Sequence, residues 1–186
     1  SRTARRVLGV AIFVTATALG ARIAIPIPGT PVPFTLQLVC VLLSGALLGP
    51  GLGATAQIAY VTLGAMGAPV FAAGGGVAYL LGPTGGYLLA FPLAAYTVGA
   101  LAGSSGRVGR LGRIGRLGRL GRLTLGLVAG TLAIHAGGAA WLAVVTGSLE
   151  QALRVGVGPF LAFDVVKIGL VLFISLKTRR RALELF

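Results

Sequence analysis

The sequence predicts an all-α membrane protein, a bundle of six transmembrane helices with both termini on the cytoplasmic side. Three observations predict it. The first is composition: of 186 residues, 56% are hydrophobic and 10% charged, where a soluble domain carries about 25% charged residues. A chain this apolar cannot cover its own surface in water, so lipid covers part of it. The second is a succession of apolar runs near the ~20 residues that a spanning helix requires. The third is where the charge sits. Thirteen of the 16 Lys and Arg fall in three clusters that flank apolar runs: Arg2, Arg5 and Arg6; six arginines from Arg107 to Arg122; and Lys177, Arg179, Arg180 and Arg181.

The whole chain, 1–186, reads as a single transmembrane domain with spans at about 7–25, 34–49, 51–68, 83–102, 124–146 and 151–176. The second and third are short and separated only by Gly49-Pro50-Gly51, which predicts a tight turn. With six spans, all three basic clusters lie on one side, and the bias of Lys and Arg toward the cytoplasm makes that side the inner one. Arg5-Arg6 followed by an apolar run and Ala18-Leu19-Gly20-Ala21 loosely fits a signal peptide. Its cleavage would leave five spans and break the charge pattern, so the first run is taken as a helix of the bundle.

Two outer connections are not helical in pattern. Residues 24–34 hold Pro26, Pro28, Pro31 and Pro33 and carry no charge; proline excludes a regular helix and favours extended backbone. Uncharged irregular backbone is costly in lipid unless it packs on protein or lines a cavity, so the segment is either a stiff linker or a lid over a pocket. Residues 69–86 are similar, with Gly74-Gly75-Gly76 and Gly82-Pro83-Thr84-Gly85-Gly86. Two such loops on one face point to a shared closed chamber. The fourth connection, 103–123, repeats Gly-Arg-apolar from Gly106. Glycine every third residue weakens a helix, and the segment reads as a basic cytoplasmic linker lying against anionic headgroups. The net charge of +13 thus belongs to topology and lipid contact, and no nucleic-acid partner is expected.

Asp164 and Lys167 carry the strongest chemical signal. Both lie inside the sixth apolar run, and a spacing of three puts them on one helix face. An ionisable residue at the centre of a membrane helix costs about 2.5–3.5 kcal/mol on insertion scales and is a functional-site hypothesis by default; the bland alternative is an ion pair that only fixes packing. Tyr87, at the outer start of the fourth span, has a ring to pack on an apolar ligand and a hydroxyl to hydrogen-bond, or else belongs to an interfacial aromatic belt. Gln37, near the outer start of the second span, is a neutral donor and acceptor. Gln57 lies mid-span and reads as a helix–helix hydrogen bond. His135 has no second His, Cys or acidic residue at ligand spacing, so it reads as a packing histidine. Trp141 is an anchor or a pocket wall. Cys40 is the only cysteine and reads as a small buried hydrophobe. Ala16/Gly20 and Thr17/Ala21 have the small-xxx-small spacing that admits a close neighbouring helix. No Walker A motif, nucleophile elbow, zinc motif or paired catalytic carboxylates are present, and only Glu150, Asp164 and Glu184 are acidic. The chain is therefore not expected to be an enzyme, and no cofactor or metal is expected.

Several runs together carry a resemblance: Ala21-Arg-Ile-Ala-Ile-Pro-Ile-Pro, Pro31-Val-Pro-Phe-Thr-Leu-Gln37, Leu42-Leu-Ser-Gly-Ala-Leu-Leu-Gly-Pro50, Gly67-Ala-Pro-Val-Phe71, Leu81-Gly-Pro-Thr-Gly-Gly-Tyr87 and Asp164-x-x-Lys167. Over about residues 15–175 the chain resembles the BioY family, the biotin-specific substrate-capture (S) subunits of energy-coupling-factor (ECF) transporters. The resemblance implies a six-helix bundle whose outer loops cover a biotin pocket. It implies biotin-binding roles for Asp164, Lys167, Tyr87, Gln37, Thr84, Gly86 and Phe34. It also implies partners: a membrane coupling (T) subunit, docked on the small residues Ala16, Gly20, Thr17 and Ala21 of the first helix, and two ATP-binding-cassette ATPases. The chain would then capture biotin at the outer side of a bacterial or archaeal plasma membrane and hand it to an ATP-driven module. The alternatives are an S subunit for another vitamin, an intramembrane enzyme or a non-transport scaffold. The Gly-Arg repeat departs from the family pattern.

Overall fold

The computed structural model describes residues 1–103 and 113–185. Helix α1 (Arg2–Arg22) leads into a hairpin in which β1 (Ala24–Ile25) pairs antiparallel with β2 (Phe34–Thr35). Then come α2 (Gln37–Ala65), the short α3 (Val77–Leu80), α4 (Gly85–Ala102), α5 (Arg113–Thr146), α6 (Leu149–Gly156), a 3-10 turn (Gly158–Phe160) and α7 (Leu161–Leu185).

Five helical stretches are long and apolar enough to cross a membrane, yet the chain crosses six times, because α2 doubles back on itself. Gly49 has φ 81 and ψ −179, a backbone setting that glycine tolerates and other residues resist. Pro50 follows, with its fixed φ suited to the first position of a new helix. In a straight helix Gln37 and Tyr60 would stand about 35 Å apart at 1.5 Å per residue, but their side chains hydrogen-bond at 2.6 Å. Gln57 likewise donates to Ser44 at 3.1 Å. The arms 37–48 and 50–65 therefore run side by side, joined by the turn expected at Gly49-Pro50-Gly51. Glycine makes this closeness possible: a Cβ on Gly53 would lie 2.8 Å from Gly45 Cα, and one on Gly45 would strike the backbone carbonyl of Ala95 on α4. Gln57 also bonds Thr17, so the expected mid-membrane link between helices is present and joins α1 to both arms.

Two expectations about helix extent need correction. The span expected at 151–176 is interrupted: α6 ends at Gly156, a 3-10 turn holds Pro159, and α7 starts at Leu161. Proline lacks an N–H and clashes with the preceding turn, so it begins a helix more easily than it continues one. The linker expected at 103–123 is helical from Arg113 onward. The segment continues α5 outward from its buried part, where Leu123 and Leu127 pack in the bundle, and Arg122 reaches back to Leu101 O at the end of α4. The first part of the Gly-Arg repeat, residues 106–112, lies outside the described residues.

The bundle is inverted relative to a water-soluble one. On α7 Val165 and Val166 are each 70% exposed, while their neighbours Asp164 and Lys167 are 3% and 6% exposed. Leu89 and Leu93 on α4 and Leu125 and Leu132 on α5 also face outward. An apolar exterior around a polar interior is the arrangement lipid imposes, and the chain is a multi-pass membrane protein. At the end bearing the basic residues, buried Arg179 donates to Ala46 O at 2.8 Å and to Gly103 O. It thus satisfies carbonyls that the ends of two helices leave without intrahelical partners.

Candidate functional site

At the opposite end of the bundle the two proline- and glycine-rich loops fold over the helix ends. In the first loop the Ala24↔Thr35 and Ile25↔Phe34 register turns the chain back toward α2. In the second, Phe71 is fully buried: its ring packs against Tyr60 and Tyr79 at centroid distances of 5.6 and 5.1 Å and covers Gly64, where any side chain would collide with it. Arg22 ties the end of α1 to this loop, donating to Pro69 O at 2.7 Å. A relay joins both loops to α2: Thr35 donates to Gln37 Oε1, Gln37 Nε2 to Tyr60 Oη, and Tyr60 Oη to Val70 O.

Beneath the loops lies a chamber lined by Val32, Pro33 and Thr35 from the first loop and Ala72, Tyr79 and Thr84 from the second. Gln37, Leu38, Tyr87, Leu88, Phe91, Ile134, His135, Phe160, Asp164 and Lys167 complete it from the helices. A wider outer chamber lies between the loops. The two share Pro33, Ala72, Tyr79 and Thr84, which form the neck between them. The loops are thus lids on a pocket, not merely linkers.

The charged centre of the inner chamber joins two helices. Asp164 on α7 places Oδ2 2.5 Å from His135 Nε2 on α5 and Oδ1 3.5 Å from Lys167 Nζ. The Lys167 ammonium also sits 4.2 Å from the centroid of the Phe34 ring, a cation–π contact that links α7 to the first lid, with Phe34 edge-on to Phe163. One carboxylate thus holds a cation on one oxygen and an imidazole on the other, in a wall otherwise mostly apolar. Such a site suits a small molecule with an apolar body and a few polar edges.

The structure brings Asp164, Lys167, Tyr87, Gln37 and Thr84 to this chamber and sets Phe34 over Lys167, but it changes several roles. Gln37 is engaged with Thr35 and Tyr60, so it fastens the lids. The Tyr87 hydroxyl donates to Gly156 O at 2.8 Å, which pins the break between α6 and α7 and leaves the ring as pocket wall. Gly86 is not in the lining: it faces α5, where a side chain would strike Trp141 and the Gly137 carbonyl, so its work is close helix packing. Trp141 is anchored by donation to Gly82 O.

The docking face expected on α1 also needs correction. Thr17, Gly20 and Ala21 are buried within this chain, Gly20 lying against the backbone of Leu36 and Gln37. Ala16 is part-covered, its carbonyl accepting from Cys40. Within this chain Thr17, Gly20 and Ala21 of the close-approach stripe pack α1 on α2. His135, expected to pack without an acidic partner, pairs with Asp164: the partner lies 29 positions away on another helix, so local spacing holds no trace of the pair. The remaining signal in the sequence was a lone histidine and a lone aspartate, each inside an apolar span.

A helical membrane bundle with a lidded, internally charged pocket at one end defines the class: a membrane protein that captures a small solute. The BioY family model matches residues 1–184, and the chain belongs to the BioY family. It is 42% identical over 173 residues to the probable biotin transporter BioY of Pyrococcus horikoshii, covering 92% of this chain and 94% of that one. It is 38% identical over 181 residues to the biotin transporter BioY of Thermotoga maritima, covering 97% and 99%. A 2.1 Å crystal structure of the S-component for biotin from an ECF-type ABC transporter superposes with a TM-score of 0.78 at 26% identity, covering 96% of this chain and 92% of that one.

Proposed function

We propose that the chain is the high-affinity biotin-capturing S subunit of an ECF-type vitamin uptake transporter in a bacterial or archaeal cytoplasmic membrane. The observation that carries this reading is the inner chamber: one Asp, one Lys and one His grouped in an apolar cavity under two lids. Biotin has an apolar bicyclic body, a cyclic urea with two N–H donors and one oxygen, and a carboxylate. Acceptors for the N–H groups are available on Asp164, and Lys167 offers a donor to an oxygen. Leu88, Phe91, Ile134 and Phe160 supply the apolar wall for the ring body. The chain is a transport subunit and not itself an enzyme. ATP hydrolysis belongs to two ABC-type ATPase subunits, coupled through a T subunit. The surface of α1 left free for such a partner is the one carrying Leu8, Ile12 and Leu19.

Calorimetry on the detergent-purified chain tests the reading. The expected result is saturable binding of one biotin per chain, with no competition from thiamine or riboflavin. A folded protein that takes up another vitamin, or none, overturns it.

A further inference from the structure

His135 is the chain's only histidine, 7% exposed on α5, with its Nε2 2.5 Å from Asp164 Oδ2. Lys167 pairs with the other carboxylate oxygen, and in the tautomer that lets His135 donate to Asp164 the ring hydrogen sits on Nε2. In the neutral ring Nδ1 then presents a bare lone pair. Nδ1 is buried without a hydrogen-bond partner. Among the described residues only one other buried side-chain polar atom, Ser175 Oγ, shares that condition, and Ser175 is not in the chamber wall. Three other polar side chains of the wall have partners: Thr35 and Gln37 bond each other, Gln37 bonds Tyr60, and Tyr87 bonds Gly156 O. A buried polar atom without a partner is costly and calls for an explanation.

We infer that His135 Nδ1 is a ligand-contacting acceptor that takes one N–H of the cyclic urea and thereby sets specificity for it. The inference deepens the biotin reading and rests on it. A bare lone pair repels a ligand carboxylate and any carbonyl oxygen, and accepts only a donor. His135 Nδ1 and Asp164 together then offer two acceptors to the two N–H groups of the urea. A ligand without an N–H at that position leaves the lone pair unmet, and failure to pair a buried polar group is what gives such sites their discrimination. Nε2 acts differently: by donating to Asp164 it fixes the ring plane and the tautomer, as a histidine's second nitrogen commonly does.

Two substitutions separate the nitrogens. His135→Asn keeps an acceptor oxygen near the Nδ1 position but falls short of Asp164. His135→Gln extends an N–H donor toward Asp164 but has no atom at Nδ1. Biotin affinity is expected to fall roughly 10- to 100-fold in His135→Gln and to stay within about threefold in His135→Asn. Because the chain has one histidine, imidazole 15N labelling gives one pair of ring signals, and biotin is expected to shift Nδ1 while Nε2 stays protonated. The reverse ranking of the two variants, or unchanged affinity in both, overturns the inference. If both lose binding, the labelled wild type decides: a moved Nδ1 signal upholds the contact and an unmoved one overturns it. Absence of biotin binding by folded wild type overturns the biotin reading itself.

Discussion

Replacing Asp164 with Asn removes one charge and almost no volume, which isolates the electrostatics of the chamber. In the wild type the Asp164 carboxylate lies 3.5 Å from Lys167 Nζ, with both residues almost fully buried. At an effective dielectric of about 20 the pair attraction is about 5 kcal/mol. Asp164→Asn leaves Lys167 as a buried cation facing only the Phe34 ring and an amide, and removing one member of a buried pair typically costs 3–5 kcal/mol. Equilibrium unfolding in mixed detergent should show a loss of about that size, and calorimetry should show biotin binding abolished. Adding Lys167→Met to Asp164→Asn removes the orphan cation and should return about 1–4 kcal/mol of stability without restoring binding. The two assays then move apart, stability recovering while function stays lost. If Asp164→Asn unfolds with wild-type stability and binds biotin at wild-type affinity, the pair is neither an energetic nor a functional centre, and the electrostatic argument fails.

Four further outcomes follow at other residues. Arg22→Ala removes the clasp on Pro69 O; the dissociation rate of labelled biotin should rise roughly two- to fivefold, with global stability within about 0.5 kcal/mol of wild type. Arg179→Met leaves the Ala46 and Gly103 carbonyls without their donor; detergent unfolding should show a loss of about 1.5–3 kcal/mol, while biotin affinity at the far end stays unchanged. Gly45→Val forces a side chain into the Ala95 backbone and should cost about 1–3 kcal/mol or more. Gly118→Ala on α5, where a Cβ meets nothing within 4 Å, should instead stabilise by about 0.5–1 kcal/mol in the same unfolding assay.

The bilayer makes some features of this chain legible in one dimension. Water-free surroundings force each crossing to be a long apolar run, so the apolar runs, the Gly49-Pro50-Gly51 turn and the clustering of basic residues can be read from order alone. The same medium makes an intramembrane Asp or Lys conspicuous, and Asp164 and Lys167 stand on one face because they are three residues apart. The proline- and glycine-rich loops could be recognised as non-helical, since those residues restrict or free the backbone wherever they sit.

What tertiary structure decided is which distant groups meet. Gln37 and Tyr87 have side chains fit for a ligand, but Tyr60 and the Gly156 carbonyl are already their partners, and neither partner is near in sequence. The small stripe of α1 announces close packing but not against what, and α2 of the same chain covers it. The break at Gly156–Phe160 holds Pro159, but the tyrosine hydroxyl that pins it reaches over from α4. Helix α5 extends back to Arg113 as the continuation of a helix whose buried part begins at Leu123. His135 becomes part of the charged centre only because α5 and α7 lie side by side with their polar faces inward. Sequence spacing specifies the face a residue occupies on its own helix; hydrogen bonds and ion pairs act over about 3 Å of space, and only the packing of the helices determines which faces come within that distance.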